Sequence, residues 1–158
     1  DALTPKAADI VAAFDPESVA IAAGRVMLRR LHELALARVD FAFETNLSSR
    51  SLLPWLKQLR ESGYTVLLAF LWLPTPEIAI ARVRQRTADG GHHVPEDVVR
   101  RRHERGLTNL RRAFQSLADE LWLFDSGSMP PRLVASGPRE ALVERDPAIV
   151  RRILKGTP

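Results

Sequence analysis

The chain has 158 residues, 46% of them hydrophobic and 27% charged, and a formal net charge of +4, a composition ordinary for a single soluble globular domain with a sizeable core. It contains no cysteine, which excludes disulfides and cysteine metal centres, and no apolar run approaches the roughly 20 residues needed to span a bilayer. No signal peptide is visible, so a cytoplasmic protein is expected. Its basic charge is carried almost wholly by arginine, against three lysines, and arginine is the side chain suited to two-pronged phosphate contact.

In chain order, residues 1–13 read as irregular or weakly helical, interrupted by Pro5. Asp15-Pro16-Glu17-Ser18 is a helix start, with Asp as cap, Pro in the first turn and an acid beside it. Val19, Ala23, Met27, Leu31 and Leu34 give one apolar face and predict a helix to about Ala37. Phe41–Phe43 is expected to be a short strand. The helix near Ser51–Ser62 carries Leu52, Leu56 and Leu59 inward, and Gly63 stands at its C-cap. Thr65–Leu73 reads as a strand so uniformly apolar that cover on both faces is expected. Strand, helix and strand make a βαβ unit.

Pro74-Thr75-Pro76-Glu77 opens another helix, which Ala88 to His93 break with two glycines, and Pro95-Glu96-Asp97 opens a long one. Leu121–Phe124 and Leu133–Ala135 read as short strands, and Asp146 to Leu154 as a last helix. Alternating strands and helices predict an α/β domain with a mostly parallel sheet and helices on both faces. Phe41–Phe43, Thr65–Leu73 and Leu121–Phe124 are expected to be parallel neighbours or near-neighbours. A single domain over residues 1–158 is expected.

Ligands of such sheets bind at the carboxyl ends of strands. There the sequence turns polar: Glu44, Thr45, Asn46, Ser48, Ser49 and Arg50 supply donors and acceptors suited to a hydroxyl-rich substrate. Arg82, Arg84 and Arg86 precede the Gly-Gly break, and Arg100, Arg101, Arg102 and Arg105 follow it. Two readings compete: a solvated basic face, or a lid over residues 84–102 whose arginines neutralise a transferring phosphoryl group around a glycine hinge. His92 and His93 are adjacent and would point different ways on an extended chain, so no metal centre is expected from them. Asp125-Ser126-Gly127-Ser128 is a polar turn after a strand.

FAFETNLSSR, the following helix, GY-x-V and an apolar strand ending LWLP, then RVRQRTADGGHHVPEDVVRRRHERGLTNL, together resemble the small bacterial zeta-toxin-like P-loop kinases from about Asp15 to Gly137. The resemblance implies ATP and Mg²⁺ as cofactors, a small hydroxyl-bearing acceptor such as UDP-N-acetylglucosamine, and an antitoxin protein as a candidate partner. It puts Glu44, Thr45, Ser49 and Arg50 on the substrate-side wall, with Asn46 where Thr is commoner. Arg86, Arg101 and Arg102 match the family's catalytic arginines best. Arg86 and Arg102 would meet the nucleotide's phosphates, and Asp125 would stand on its adenine side. The family's aspartate base falls on Asp1 or on Asp9, with Asp1 slightly favoured.

The phosphate-binding motif G-x-x-x-x-G-K-[ST] does not occur in the sequence, and none of the three lysines follows a glycine. The chain begins with Asp rather than Met. Roughly 25–40 further residues holding the first strand and P-loop are therefore expected upstream, and the chain by itself is expected to be inactive. A non-catalytic nucleotide- or partner-binding relative and a basic nucleic-acid-binding module are the alternatives. The second lacks aromatics among its arginines and any reading motif, so no nucleic-acid or membrane partner is expected.

Overall fold

The computed structural model describes residues 16–156. The chain divides into two compact units, Asp1–Glu44 and Thr45–Pro158. In the first, helix α1 spans Pro16–Leu36, starting at the expected proline; its Asp15 cap lies outside the described residues. The helix closes where Arg38 takes a left-handed conformation (φ 58) and Val39 N donates to the Leu34 carbonyl. Leu31 is buried on it, while Met27, expected on the same face, is 41% exposed. Phe41–Phe43, expected as a strand, belongs to no strand of the sheet among the described residues. A strand is defined by its place in a ladder, which an apolar run of three does not by itself specify.

In the second unit, α2 (Leu53–Glu61) buries Leu56 and Leu59. It ends as the sequence predicts. Gly63, at φ 98, lets Gly63 N reach the Arg60 carbonyl and Tyr64 N reach that of Leu59, a closing pair that a left-handed residue makes possible. Strand β1 (Leu67–Trp72) follows, then α3 (Pro76–Ala88) and α4 (Glu96–Asn109). The last of these widens into a π turn, Leu110–Phe114, before a final short turn, α5 (Gln115–Leu117). Strands β2 (Glu120–Asp125), β3 (Arg132–Pro138) and β4 (Val143–Glu144) lead to α6 (Pro147–Leu154). Asp146 caps α6 by accepting from Ile149 N at 3.2 Å.

The sheet order is β1-β2-β3-β4. Only β1 and β2 are parallel; β3 runs antiparallel to β2, and β4 to β3. The expectation of a mostly parallel sheet is thus corrected to a mixed one. The reason is chain length: residues 126–131 between β2 and β3 fall short of the dozen or so that a parallel crossover needs, so the chain can only turn back.

Leu68, Phe70 and Trp72 pair with Leu121, Leu123 and Asp125, and this face is covered. Trp72, Leu121 and Leu123 are buried there, with Val150 and Ile153 of α6. The Arg152 guanidinium lies 4.8 Å from the Trp72 ring centroid, a cation–π distance. Arg111 of the π turn donates to the Ile153 and Arg152 carbonyls at 2.8 and 2.7 Å, closing the end of α6. The opposite face is open at Leu67, Leu71 and Trp122, which are 51%, 56% and 40% exposed. Cover on both faces, expected from the uniformly apolar run, is found on one: among the described residues helices pack on the Trp72 face, and none covers Leu67, Leu71 and Trp122. Among the described residues no helix is long and apolar enough to cross a membrane.

Candidate functional site

The parallel pair β1–β2 puts two carboxyl ends side by side, where Ser126 N donates to the Trp72 carbonyl at 2.8 Å. Three features converge there. Asp125 turns the chain by accepting from Gly127 N at 2.9 Å. Its carboxylate also lies 3.6 Å from Arg132. Ser126 is fully buried, and its hydroxyl has no partner among the described residues. A Cβ on Gly127 would stand 3.1 Å from Pro74 Cγ and 3.2 Å from Asp125 Oδ1, so the turn is tight enough to favour glycine. Arg132 is shared with Asp146 at 2.9 Å. That contact is the chief cause holding the Asp146 carboxyl below its usual range.

The arginine helices α3 and α4 are fastened to this strand end. Arg82 of α3 donates to the Ser126 carbonyl. His103 of α4 lies with Nε2 2.9 Å from the Leu73 carbonyl; a carbonyl only accepts, so Nε2 carries the proton. The two helices are joined to each other near the loop by Arg84, whose Nε donates to Glu96 Oε1 at 3.0 Å, and at the far end by Arg100 and Glu77. Where a glycine hinge was expected, the structure shows a helix stop. Gly90, at φ 88, lets its own N reach the Thr87 carbonyl and Gly91 N the Arg86 carbonyl at 2.8 Å, the same closure as at Gly63. Gly91 has no room for a side chain, since a Cβ would lie 2.7 Å from both Cγ and O of Arg86.

The hydrogen bond from Arg100, with Glu77's own backbone N–H and the Thr75 hydroxyl, lowers the Glu77 carboxyl from 4.5 to about 2. A carboxyl lowered on folding gives stability that is complete above its unfolded pKa and lost as pH falls through its folded one. The α3–α4 link is therefore expected to persist through pH 4.5 and weaken only as pH approaches about 2. A carbon-detected NMR titration of the Glu77 carboxyl checks this. Arg100→Gln is expected to return the midpoint to the ordinary carboxylate range, and an unmoved midpoint contradicts the stated cause.

The expected arginines separate into two groups. Arg84 and Arg100 are occupied by carboxylates. Arg86 makes one long contact, 3.4 Å from Nη2 to the His92 carbonyl, Arg101 stands 3.7 Å from Asp97, and Arg102 is exposed with no partner among the described residues. The loop after Glu44 is wound on its own side chains. Leu47 N donates to Thr45 Oγ1 at 3.2 Å, Ser48 N to Asn46 Oδ1 at 3.0 Å, and Ser51 N to Ser49 Oγ at 3.1 Å. Glu44 is exposed and closes the first unit. Asp1 and Asp9 lie outside the described residues.

His103, Gly106 and Asn109 went unassigned in the sequence. They follow Val99 at steps of four, three and three, which puts them on the buried face of α4, where Val99, Gly106 and Asn109 are buried. A polar residue on such a stripe was the available signal. Among the described residues no group of three or more His, Cys, Asp or Glu side chains could hold a metal ion.

A family model described as Zeta toxin matches residues 3–127. A protein of Haemophilus influenzae, described as uncharacterized, is 32% identical over 89 residues, which cover 56% of this chain. The chain spans 64% of that relative's length. No solved structure matches.

Proposed function

The chain belongs to the zeta toxin family, and from that premise we propose that it bears the lid and acceptor side of an ATP-dependent small-molecule kinase. The observation that supports this best is the attachment of an arginine-bearing helix pair to the carboxyl ends of β1 and β2, through Arg82 and His103. Open α/β sheets bind ligands at that edge. Phosphoryl transfer asks the protein mainly for positioned positive charge.

In this reading Arg86, Arg101 and Arg102 face the phosphates, Asp125 and the tight Ser126–Gly127 turn border the nucleotide, and Thr45, Ser49 and Arg50 line the acceptor side. Glu44 holds an acceptor hydroxyl. Either Asp1 or Asp9 would take the proton of the reacting hydroxyl. ATP supplies the phosphoryl group, and the exposed arginines fit its charge. Among the described residues no group of three or more His, Cys, Asp or Glu that could hold a metal ion is found; Mg²⁺ would be held chiefly by the phosphates of ATP with one or two carboxylates. A nucleotide sugar such as UDP-N-acetylglucosamine suits a loop carrying hydroxyls beside an arginine.

The test is phosphorus NMR of the full-length protein with ATP, Mg²⁺ and a panel of nucleotide sugars and simple sugars. A new phosphomonoester resonance, lost in Arg102→Ala, is the expected result. ATP binding without any phosphorylated product across the panel would favour a non-catalytic nucleotide-binding relative.

A further inference from the structure

Asn109 is a buried polar residue, 7% exposed, whose two amide atoms both reach far along the chain. Its Oδ1 accepts from Arg50 Nε at 2.8 Å, and its Nδ2 donates to the Leu47 carbonyl at 2.7 Å. Leu47 itself is buried, at a left-handed φ of 55. A bulky residue in that conformation persists only where its surroundings hold it. One side chain thus fixes both the bend of the 45–52 loop and the arginine that emerges from it. Gly106, one turn earlier, makes the approach feasible, because a Cβ there would stand 2.6 Å from the Asn46 carbonyl oxygen.

A guanidinium is planar, so a bond at Nε together with the anchored stem sets the direction of both Nη nitrogens. Among the described residues neither Nη of Arg50 has a partner, and Arg50 is exposed. We propose that Asn109 is the positioning residue for Arg50, holding its two Nη nitrogens outward as a prepared fork for an oxyanion, phosphate or carboxylate, of the acceptor. This rests on the assignment of Arg50 to the acceptor side. A fork ordered beforehand loses less side-chain freedom on binding than a loose arginine does. Removing the Asn109 amide is expected to weaken oxyanion binding by roughly 10-fold, the scale of one hydrogen bond to a charged group.

The experiment reads the Arg50 Nε–H signal by NMR in the full-length protein, with inorganic phosphate and acetate as probes. In the parent, exchange of this proton with water is expected to be slow beside that of the exposed Arg112. One of the two probes should shift it saturably, and which one does identifies the group that the fork takes. Asn109→Ala should speed the exchange and weaken that probe about 10-fold. Asn109→Asp keeps an oxygen toward Nε and should preserve the slow exchange, although its donor to Leu47 is gone. Loss in both variants alike means that Asn109 serves only the fold, which overturns the proposal. Fast exchange in the parent overturns it without any variant, should Asn109→Ala fail to fold. If neither probe moves the Arg50 signal while its exchange is slow, the acceptor-side reading of Arg50 is what fails, and the proposal falls with it.

Discussion

On the proposed kinase reading, Arg102→Ala or Arg86→Ala is expected to lower turnover by about 30- to 1000-fold, equivalent to roughly 2–4 kcal/mol of lost charge stabilisation. Neither guanidinium is committed elsewhere: Arg102 is exposed without a partner among the described residues, and Arg86 has one long contact to a carbonyl. Arg84 and Arg100, by contrast, are paired with Glu96 and Glu77. Their replacement by Ala should act on the hairpin more than on the chemistry. Lysine at 86 or 102 should rescue only partly, having the charge without the planar fork. Glu44→Gln, close in size but uncharged, is expected to impair acceptor use while leaving ATP affinity nearly unchanged. Steady-state kinetics with both substrates varied, beside a thermal melt, separates these outcomes. Full turnover in either Arg→Ala variant removes that arginine from the mechanism, and a fully active Glu44→Gln does the same for Glu44.

Gly106→Ala is expected to destabilise the protein by about 2 kcal/mol, the usual scale of overpacking, which at this chain length lowers Tm by roughly 4–8 °C. Replacing glycine by alanine inside a helix ordinarily stabilises it by about 1 kcal/mol. Gly24, in α1, has nothing within 4 Å of where its Cβ would stand, and there the ordinary gain is expected. At Gly106 the new methyl meets a backbone carbonyl at 2.6 Å, which cannot swing aside as a flexible side chain could. Either α4 or the 45–52 loop has to retreat, and acceptor use should fall along with stability. Differential scanning calorimetry of the two variants gives shifts of opposite sign; equal shifts would mean that the close approach at Gly106 carries no cost.

Much of the local structure was legible because it depends on neighbours in sequence. Gly63 and Gly90 both stop helices where the apolar spacing breaks, and Asp146 with Pro147 starts one. Strands β1 and β2 and their parallel pairing were legible from two apolar runs separated by helices. Phe41–Phe43 failed for a different reason: a strand is made by its partner, and composition does not name the partner. The antiparallel return of β3 was readable from the shortness of residues 126–131, had connection length been weighed against the alternation of elements. The tie between Asn109 and Arg50 spans 59 residues. An asparagine inside an arginine-rich run gives no sign of what it will face.

The π turn at Leu110–Phe114 works as a phase shifter between the face of α4 and the core contacts made within and just past the turn. An ordinary helix advances by roughly 100° per residue, and a π turn holds about one residue more than an ordinary turn. Upstream of it, His103, Gly106 and Asn109 point at the strand end and the 45–52 loop. Within the turn, Leu110 and Phe114 are buried in the core and Arg111 reaches the end of α6, and just past α5 Ala118 is buried as well. Deleting one residue here would restore a regular helix, and so favour local hydrogen bonding. It would also rotate one stretch against the other by about a quarter of a turn. The register of the hydrophobic core and that of the Asn109 contact could then no longer both be met. The irregularity lets one continuous rod answer to two separate surfaces at once.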